Sequence, residues 1–502
     1  MQSEPQTVTV PQAIQIGVEH HRAGRLAEAE LVYQQVLKAD PNNPVALNLL
    51  GVIAHQVGKH EMSVQLIGRA LAVKPDYADA LSNRGNALQE LKRYEEALTD
   101  CDRALAIKPD YAEALSNRGN ALRGLSRYEE ALASYEEALK INPDFVEALS
   151  NRGNALHALG RYDEALASYD RALAIKPDYA EALSNRGNAL QRLRRYDEAL
   201  VSLDKALSIK PDFVEALSNR GLALQELKRS DEALVSYDRA LSIKPDYADA
   251  SYNRAQVLLK LQRPAEAMVA YRRALENGGN AEQIEYELAA LGTGSAPSAA
   301  PTQFVASLFD RYADNFDQHL ISTLKYQTPN LLFEQITRFC PSHDLDILDL
   351  GCGTGLLGPL LRPLARTLTG VDLSANMLEK ASQRHVYDNL VRSDLTRYLE
   401  TKNNSFDLAV AADVFVYMGD LAGVFASLKD ALRLCGWFSF SIEANDGGDF
   451  VLKPTRRYGH SVAYCEKLAS DRGFVIASIE PGVIRQENGA DVNGYLALMH
   501  RS

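Results

Sequence analysis

The sequence predicts two domains of different classes, an all-helical repeat array followed by an α/β domain with a mostly parallel sheet. Three observations support this prediction. Prolines recur every 34 residues, at positions 41, 75, 109, 143, 177, 211 and 245. Residues 349–355 read Asp-Leu-Gly-Cys-Gly-Thr-Gly directly after the mostly apolar run 345–348. Strand and helix patterns then alternate along the chain, which is typical of a βαβ series.

Composition and charge exclude several classes of protein. A chain of 502 residues is long enough for at least two domains. The net charge of −12 disfavours general nucleic-acid binding, because phosphate neutralisation needs a basic face. The five cysteines lie far apart and indicate free thiols in a reducing compartment, with no metal site. Because neither a secretion signal nor an apolar run of roughly 20 residues is evident, we expect a cytoplasmic protein without membrane insertion.

The repeated unit has features of two packed helices. Glycine recurs at the position of Gly119, in the middle of the first helix, where it costs about 1 kcal/mol relative to alanine. We therefore expect the second helix of each unit to pack too closely for a side chain at this position. Units begin near residues 10, 44, 78, 112, 146, 180, 214 and 248, which makes eight, and residues 281–291 are predicted to form a closing helix that shields the last unit.

The 34-residue period with its glycine, alanine and proline positions resembles the tetratricopeptide (TPR) repeat, in which stacked helix pairs form a superhelix. Leucine stands where that family usually has tryptophan. One apolar consensus position carries arginine, and we expect these arginines to bury their stems and pair with nearby acids. They are Arg84, Arg118, Arg152, Arg186, Arg220 and Arg254.

Two rows of asparagine follow the same period on one face of the first helices. The first row is Asn83, Asn117, Asn151, Asn185, Asn219 and Asn253, and the second is Asn86, Asn120, Asn154 and Asn188. Amide side chains both donate and accept hydrogen bonds, so such rows can grip an extended peptide backbone. They resemble the asparagine ladder of O-GlcNAc transferases and imply a protein or peptide partner. Alternatively, the amides only bond between neighbouring repeats.

The domain boundaries follow from composition. The array is predicted for residues 1–292, and the Gly/Ser/Ala/Pro-rich segment 293–302 is expected to be a flexible linker. Residues 303–340 show an amphipathic helical pattern, and residues 341–502 hold the α/β domain. Strands are predicted at 346–350, 367–371, 388–392, 406–411, 437–442, 475–480 and 494–500. The last two lack an intervening helix, so we expect them to be antiparallel.

Acidic residues end the successive strands of this predicted sheet. Asp349 precedes the glycine turn, and Asp372, Asp394 and Asp413 follow the second, third and fourth strands. Ligands of open α/β sheets bind at the carboxyl ends of the strands. A single such aspartate is more often a helix cap, but four in order favour a ligand site. A nicotinamide dehydrogenase is the competing interpretation; it usually requires G-x-G-x-x-G, whereas this turn reads G-x-G-x-G.

With these motifs, residues 303–502 resemble the Rossmann-like class I S-adenosylmethionine-dependent methyltransferases. The whole chain resembles bacterial predicted methyltransferases with an N-terminal TPR array. The resemblance implies S-adenosylmethionine as cofactor, with Asp349 and the glycine turn holding its methionine end, Asp372 its ribose, Asp394 its adenine and Asp413 its methyl-donor end. The full set of implied cofactor contacts is Asp349, Gly351, Cys352, Gly353, Gly355, Asp372, Leu373, Met377, Asp394, Leu395, Asp413, Val414 and Tyr312.

The acceptor side is less clearly marked. His460 lies where this fold normally faces the acceptor and could act as a general base, or it could be a surface or helix-capping residue. Tyr458, Tyr417 and Glu443 are weaker candidates, and residues 443–449 are interpreted as a solvated loop. The helical segment 303–340 resembles the lid of small-molecule methyltransferases. Its Tyr312 or Tyr326 either reaches the cofactor or only packs the lid onto the sheet.

The leading hypothesis is a methyltransferase that acts on an unidentified small-molecule or carrier-bound acceptor, with an array that binds a protein partner. A methyltransferase acting on a protein recruited by the array is one alternative. A non-catalytic scaffold with a cofactor-binding domain is another.

Overall fold

The computed structural model describes residues 8–320, 324–340, 343–487 and 489–502. The first seven residues, for which the sequence predicts no secretion signal, lie outside the described residues. The chain divides into two compact units, Met1–Val257 and Leu258–Ser502. Among the described helices, none combines the length and the apolar character that crossing a bilayer requires.

Antiparallel helix pairs with a 34-residue period build the first unit, as the sequence predicts. The helices are α1 (Val10–Arg22), α2 (Leu26–Ala39), α3 (Pro44–Gln56), α4 (His60–Val73), α5 (Ala78–Glu90), α6 (Tyr94–Ile107), α7 (Ala112–Gly124), α8 (Tyr128–Ile141), α9 (Val146–Ala158), α10 (Tyr162–Ile175), α11 (Ala180–Arg192), α12 (Tyr196–Ile209), α13 (Val214–Glu226), α14 (Ser230–Ile243) and α15 (Ala248–Lys260).

Close helix packing explains the recurring glycine. A Cβ atom at Gly119 would lie 2.6 Å from Cε1 of Tyr135, so only glycine fits under this ring. The arginine that replaces an apolar consensus residue pairs with acids, as predicted. Arg84 Nε lies 2.6 Å from Asp100, and Arg118 Nε lies 2.6 Å from Asp102. Half-burial of these arginines places their alkyl stems against the neighbouring helices.

The second unit combines helices with one nine-stranded sheet. Its helices are α16 (Pro264–Glu276), α17 (Ala281–Ala290), α18 (Thr302–Tyr312), α19 (Phe316–Gln318), α20 (Thr328–Phe339), α21 (Gly358–Leu361), α22 (Ala375–Ser382), α23 (Leu395–Leu399), α24 (Ala422–Ala431) and α25 (Val462–Arg472). Its strands are β1 (Leu345–Leu350), β2 (Ala365–Asp372), β3 (Asn389–Arg392), β4 (Phe406–Ala411), β5 (Leu432–Ala444), β6 (Phe450–Leu452), β7 (Tyr458–His460), β8 (Phe474–Glu487) and β9 (Ala490–Arg501).

Seven of the nine strands are those that the sequence predicts. Neighbouring strands pair in the order β3-β2-β1-β4-β5, all parallel, and β9 continues the sheet between β5 and β8. Strand β9 is antiparallel to both of its neighbours, which confirms the prediction for the last two strands. Because β1 is buried along its whole length, its apolar residues face helices on both sides of the sheet.

The structure adds two short strands to the seven that the sequence predicts. Of the predicted solvated loop 443–449, Glu443 and Ala444 end β5, and residues 446–449 are exposed. After this loop β6 and β7 make an antiparallel hairpin in which β7 pairs with the end of β5. The hairpin covers apolar surface with Leu452, Phe450 and Tyr458. Strands of three residues are too short for their alternation pattern to be recognised in the sequence.

Helical content also differs in the segment predicted as a lid. Helix α18, a 3₁₀ turn at 313–315 and α19 form its first part, while α20 packs on the sheet. The Thr328 hydroxyl donates to the Ile484 carbonyl at 3.0 Å, and Gln335 Nε2 donates to the Leu496 carbonyl at 3.1 Å. Residues 321–323 of the predicted lid lie outside the described residues. Only the part around α18 and α19 is therefore placed as a lid would be.

The segment 293–302 is attached to the α/β domain and does not behave as the flexible linker that its composition suggests. The Ser298 carbonyl accepts from the main-chain N–H groups of Gly419 and Asp420, at 2.7 and 2.9 Å. The Ala300 N–H donates to the Tyr417 carbonyl at 2.9 Å. These hydrogen bonds join main-chain groups, so the side-chain composition of the segment does not indicate that they form.

Helix α17 contacts the α/β domain as well as α16. Tyr286 donates its hydroxyl to the Arg456 carbonyl, and the buried Glu287 carboxylate lies 3.1 Å from Arg456 Nε. The Tyr286 ring packs on Phe304 and Tyr458, with centroids 5.4 and 6.3 Å away. The helix predicted to close the array is thus part of the second unit.

Candidate functional site

The glycine turn after β1 depends on left-handed backbone. Gly351, Gly353 and Gly355 have φ of +63°, +54° and +80°, which side chains with a Cβ rarely adopt. A Cβ at Gly351 would also lie 2.6 Å from Val414 Cγ2. The helix after the turn, α21, starts at Gly358 and is a single turn. The turn therefore brings the main chain close to the loop that follows β4.

Asp372 holds the glycine turn in place. Its Oδ2 accepts from the Gly353 N–H at 2.9 Å, and its Oδ1 accepts from the Ser374 N–H at 2.8 Å. Burial raises the pKa of this carboxyl, while the hydrogen bonds to main-chain N–H groups oppose the rise. The carboxylate thus joins the end of β2 to the turn after β1.

Asp349 is a buried acid at the end of β1. It is 2% exposed, and burial raises its pKa to about 7 even though the Tyr387 hydroxyl donates to its Oδ2 at 2.6 Å. Tyr387 is a functional-site residue that sequence reasoning missed. It lies 38 residues from Asp349 and carries no motif of its own, so only the fold reveals the contact.

Asp394 and Asp413 lie at the ends of β3 and β4. Asp394 caps α23 by accepting from the Arg397 N–H at 3.1 Å. Asp413 has a φ of +59° and donates its N–H to Ser441 Oγ at 2.8 Å. Asp394 therefore caps a helix, and it also lines a cavity at this edge of the sheet.

A buried arginine that the sequence did not mark lies beside Asp413. Arg485 on β8 is 1% exposed and donates to Asp413 Oδ1 at 2.9 Å, to Glu443 Oε2 at 2.6 Å and to Glu487 Oε1 at 3.1 Å. Arginine near the end of a long strand is ordinarily exposed. Its carboxylate partners lie after β4, on β5 and on β8, so these contacts form only when the three strands pack together.

These residues surround one cavity of about 680 Å³. Tyr417 and most of the predicted cofactor contacts line it: Asp349, Gly351, Cys352, Gly353, Asp372, Leu373, Asp394, Leu395, Asp413, Val414 and Tyr312. The carboxyl ends of β1 to β4 thus meet at one cavity, as expected for a doubly wound sheet. Gly355 and Met377 lie outside the lining, and Met377 is fully buried in α22.

The lid segment forms another wall of the cavity with Phe309, Tyr312, Phe316 and His319. Tyr312 packs edge-on against Phe316 at 5.8 Å and contacts His319. Tyr326 also lines the cavity, and burial raises its pKa well above the ordinary value. The aromatic side chains of the segment therefore both pack together and face the cavity.

His460 is not placed to act as a general base, which corrects the expectation from sequence. It is fully buried in β7, its Nε2 lies 2.9 Å from the Gly419 carbonyl, and burial lowers its pKa to about 4. Tyr458 is also fully buried and donates its hydroxyl to the Pro297 carbonyl at 2.8 Å. Neither residue lines the cavity, whereas Tyr417 does.

Part of the first asparagine row bonds between neighbouring repeats. Asn83 Nδ2 donates to Asn48 Oδ1 at 3.1 Å, and Asn117 Nδ2 donates to Ser82 Oγ at 3.1 Å. These amides are half-buried. For these two amides the arrangement matches the second of the two interpretations that the sequence left open.

The second row supports the packing of the second helices. Asn120 and Asn154 accept from the buried hydroxyls of Tyr135 and Tyr169, each at 2.7 Å. A buried hydroxyl without a partner costs about 1–3 kcal/mol, so these bonds stabilise the helix pairs.

Comparisons with known families agree with both halves of the chain. Residues 348–440 match the family described as a methyltransferase domain. Families described as tetratricopeptide or TPR repeats match residues 14–43, 32–65, 78–111, 119–160, 153–193, 180–213, 214–247 and 236–282.

The chain carries tetratricopeptide repeats and a methyltransferase domain.

Two curated relatives resemble the methyltransferase domain. The malonyl-[acyl-carrier protein] O-methyltransferase of Acetivibrio thermocellus is 32% identical over 136 residues, 26% of this chain and 47% of the relative. The ubiquinone biosynthesis O-methyltransferase of Albidiferax ferrireducens is 27% identical over 133 residues, 25% of this chain and 52% of the relative. The chain spans about half the length of these relatives.

The repeats resemble a solved structure of a tetratricopeptide repeat protein from Parabacteroides merdae. It is 21% identical to this chain, with a TM-score of 0.39, and the match covers 52% of this chain and 98% of that protein.

Proposed function

We propose that this chain is an S-adenosylmethionine-dependent methyltransferase that acts on a small-molecule or carrier-bound acceptor, with a TPR array that binds a protein partner. The cavity carries the proposal, because the glycine turn and four strand-end aspartates converge on it. Its volume of about 680 Å³ lies within the ~300–1,000 Å³ typical of ligand pockets. The match of residues 348–440 to methyltransferase domains supports the same conclusion.

The cavity residues at the strand ends have these roles in the proposal. Asp349 and the glycine turn receive the ammonium and carboxylate of the methionine end. Asp372 accepts from the ribose hydroxyls, and Asp394 with Leu395 contacts the adenine. Asp413 and Val414 face the methyl donor. Four lining carboxylates suit a ligand that carries a sulfonium and an ammonium, since opposite charges attract in a site of low dielectric.

Bound S-adenosylmethionine would supply an electrophilic methyl group, which an acceptor would attack in line while S-adenosylhomocysteine leaves as the thioether. The chain contributes mainly by holding the reactants in position and by excluding water. Asp372 fixes the turn through the Gly353 N–H, and the segment around Tyr312 and Phe316 covers the cavity. Acceptors that already carry a reactive lone pair therefore need no base from the protein.

Calorimetric titration of the full chain with S-adenosylmethionine tests the cofactor assignment. We expect binding by the wild type and at least tenfold weaker binding by Asp372→Ala, because this variant frees the Gly353 N–H and removes the proposed ribose acceptor. Asp446→Ala is the matched control, since Asp446 is exposed and lies outside the cavity. Absence of binding by the wild type would overturn the proposed function.

The proposed acceptor class is supported by the two relatives, whose names describe methyl transfer to oxygen of a carrier-bound or small molecule. Incubation of the full chain with labelled S-adenosylmethionine and fractionated cell extract tests it. Label in the low-molecular-weight or acyl-carrier fraction is expected. Label in other proteins would instead support the protein methyltransferase alternative.

The proposed role of the array can be tested by deletion. Removal of residues 1–247 keeps α17 and its contacts with Arg456, whereas removal of residues 1–292 breaks the Tyr286 and Glu287 contacts. We expect the first truncation to bind S-adenosylmethionine like the full chain and to lose methyl transfer in unfractionated extract. Unchanged transfer by the first truncation would contradict recruitment by the array.

Partner binding through the first asparagine row has a separate test. Replacement of Asn151, Asn219 and Asn253 with alanine is expected to weaken retention of the partner on immobilised full chain. Asp76→Ala and Asp110→Ala in the exposed turns between repeats are controls. Equal retention by both variants would show that the amides only link repeats.

A further inference from the structure

His319 is the histidine that the structure brings to the cavity. Among the described residues, no other histidine lines it. The side chain is half-buried, and its ring packs edge-on against Tyr312 with centroids 5.4 Å apart. The Tyr312 hydroxyl hydrogen-bonds to His319 Nδ1, so Nε2 is the ring nitrogen left for a ligand.

Acidic residues fasten the segment that carries His319 to the cofactor side of the cavity. Asp317 contacts the Thr354 hydroxyl of the glycine turn and the Arg384 guanidinium. Asp310 accepts from the Ser374 hydroxyl at 2.5 Å, and Ser374 follows the strand that ends in Asp372. His319 is therefore two residues from an anchor on the glycine turn, and its position is tied to the proposed cofactor site.

The charged groups on the cavity wall beside Arg485, and those that pair with them from behind it, do not favour an anionic acceptor. Arg485 pairs with Asp413, Glu443 and Glu487. The neighbouring Arg457 pairs with Glu487, and Lys453 pairs with Glu443 at 2.7 Å. Three cations are thus matched by three carboxylates. An incoming carboxylate would find no surplus positive charge to offset its desolvation.

The remaining wall around His319 is aromatic. Phe309, Tyr312, Phe316, Tyr326 and Tyr417 all line the cavity. Flat apolar faces of this kind pack well against an aromatic ring. An uncharged aromatic compound with a hydroxyl group combines the two properties that this wall selects.

We propose that the acceptor is an uncharged, hydroxyl-bearing aromatic compound and that His319 is the catalytic base that deprotonates it. This inference rests on the proposed function. His319 Nδ1 carries the proton and donates to the Tyr312 oxygen, which leaves the Nε2 lone pair free. The acceptor O–H bond breaks as its proton moves to Nε2, and the oxygen forms a bond to the methyl carbon. The C–S bond breaks, its electron pair stays on sulfur, and the imidazolium then releases its proton to water.

The experiment compares two probes with the full chain and labelled S-adenosylmethionine. The hydroxyl probe is catechol, which stays uncharged at neutral pH, and the carboxylate probe is malonyl-CoA. We expect methylation of the hydroxyl probe at least 100 times faster. His319→Gln should lower kcat for this probe by about 10²–10⁴-fold, the range for loss of a general base, with KM and the S-adenosylmethionine Kd within about threefold of wild type.

Two further variants separate proton transfer from structure. His319→Ala should regain part of its activity when imidazole is added, which a merely structural role would not predict. His343→Gln, at an exposed histidine outside the cavity, should behave like the wild type. Faster methylation of malonyl-CoA, full activity of His319→Gln, or no methylation of the hydroxyl probe by protein that binds S-adenosylmethionine would each overturn the inference. Loss of cofactor binding in the wild type would instead overturn the proposed function.

Discussion

Arg485 donates to both carboxylate oxygens of Asp413, at 2.9 and 3.1 Å. The pair joins β8 to the loop that follows β4, in which Asp413 has a left-handed backbone conformation. Arg485 also pairs with Glu443 and Glu487, so one buried guanidinium links three carboxylates, two of which have a second cation in Lys453 and Arg457.

Replacement of Arg485 with methionine should therefore destabilise the second unit strongly. Asp413 and the buried Glu443 would lose the buried cation that they share, while Lys453 still pairs with Glu443 and Arg457 with Glu487. Removal of one partner of a buried ion pair typically costs about 3–5 kcal/mol. Urea unfolding of the full chain measures the loss. Arg338→Met is the control, since the exposed Arg338–Glu480 pair should contribute less than about 1 kcal/mol. Similar losses in the two variants would contradict the assigned role of Arg485.

Asp349 predicts a pH dependence of cofactor binding. Burial raises the pKa of the Asp349 carboxyl to about 7. A bound ammonium would favour the charged carboxylate and so lower this pKa. Binding then releases a proton below pH 7, so affinity for S-adenosylmethionine should rise about tenfold from pH 6 to pH 8 and level off above. Calorimetry at the two pH values measures this rise. Asp349→Asn should show only the dependence that comes from the ligand's own amino group.

His460 predicts a pH dependence of stability. Its folded-state pKa is lowered from 6.5 to about 4, and its Nδ1 is buried without a hydrogen-bond partner among the described residues. The unfolded chain binds this proton between pH 6.5 and 4 while the folded chain does not, so stability falls as pH decreases through this window, by up to about 3 kcal/mol. Urea unfolding at pH 7.5 and pH 4.5 measures the difference.

His460→Gln is the matched variant for that measurement. Its amide can still donate to the Gly419 carbonyl but does not titrate. The variant should lose about 2–3 kcal/mol less than the wild type between the two pH values. Parallel losses in the two proteins would show that other groups cause the acid sensitivity.

The repeats contain their own test of the second asparagine row. Tyr169 donates to Asn154, whereas leucine stands at the equivalent position 222 and the buried hydroxyl of Tyr237 has no partner among the described residues. Leu222→Asn should stabilise the array by about 0.5–1.5 kcal/mol, and Asn154→Leu should destabilise it by about 1–3 kcal/mol. Thermal unfolding of the full chain checks both. Opposite signs for the two changes are required by this explanation.

Much of the fold could be predicted from local patterns. The 34-residue period specifies the helix pairs because each unit repeats the same glycine, alanine and proline positions. Asp349, Asp372, Asp394 and Asp413 could be found because each lies at or just after the end of a predicted strand, and the ends of parallel strands meet at one edge.

The acceptor side could not be predicted in the same way. His460 follows Arg456-Arg457-Tyr458-Gly459, a polar and aromatic stretch that suggests an acceptor site. Pairing of β7 with β5 nevertheless buries His460. His319 lies in an amphipathic helical segment with no motif, and it reaches the cavity because Asp317 anchors that segment to the glycine turn. The sequence separation between these partners leaves no local pattern.

The sequence by itself determined the helical array, the parallel sheet and the row of strand-end acids, because these follow from periodicity and from the order of strands. Only the tertiary structure decided which ionisable groups face the cavity. It buried His460 and brought the half-buried His319 to the cavity, raised the pKa of Asp349 through burial beside Tyr387, and surrounded Arg485 with three carboxylates. Burial and pairing of charges depend on contacts between distant segments, and those contacts form only when the sheet and its covering helices assemble.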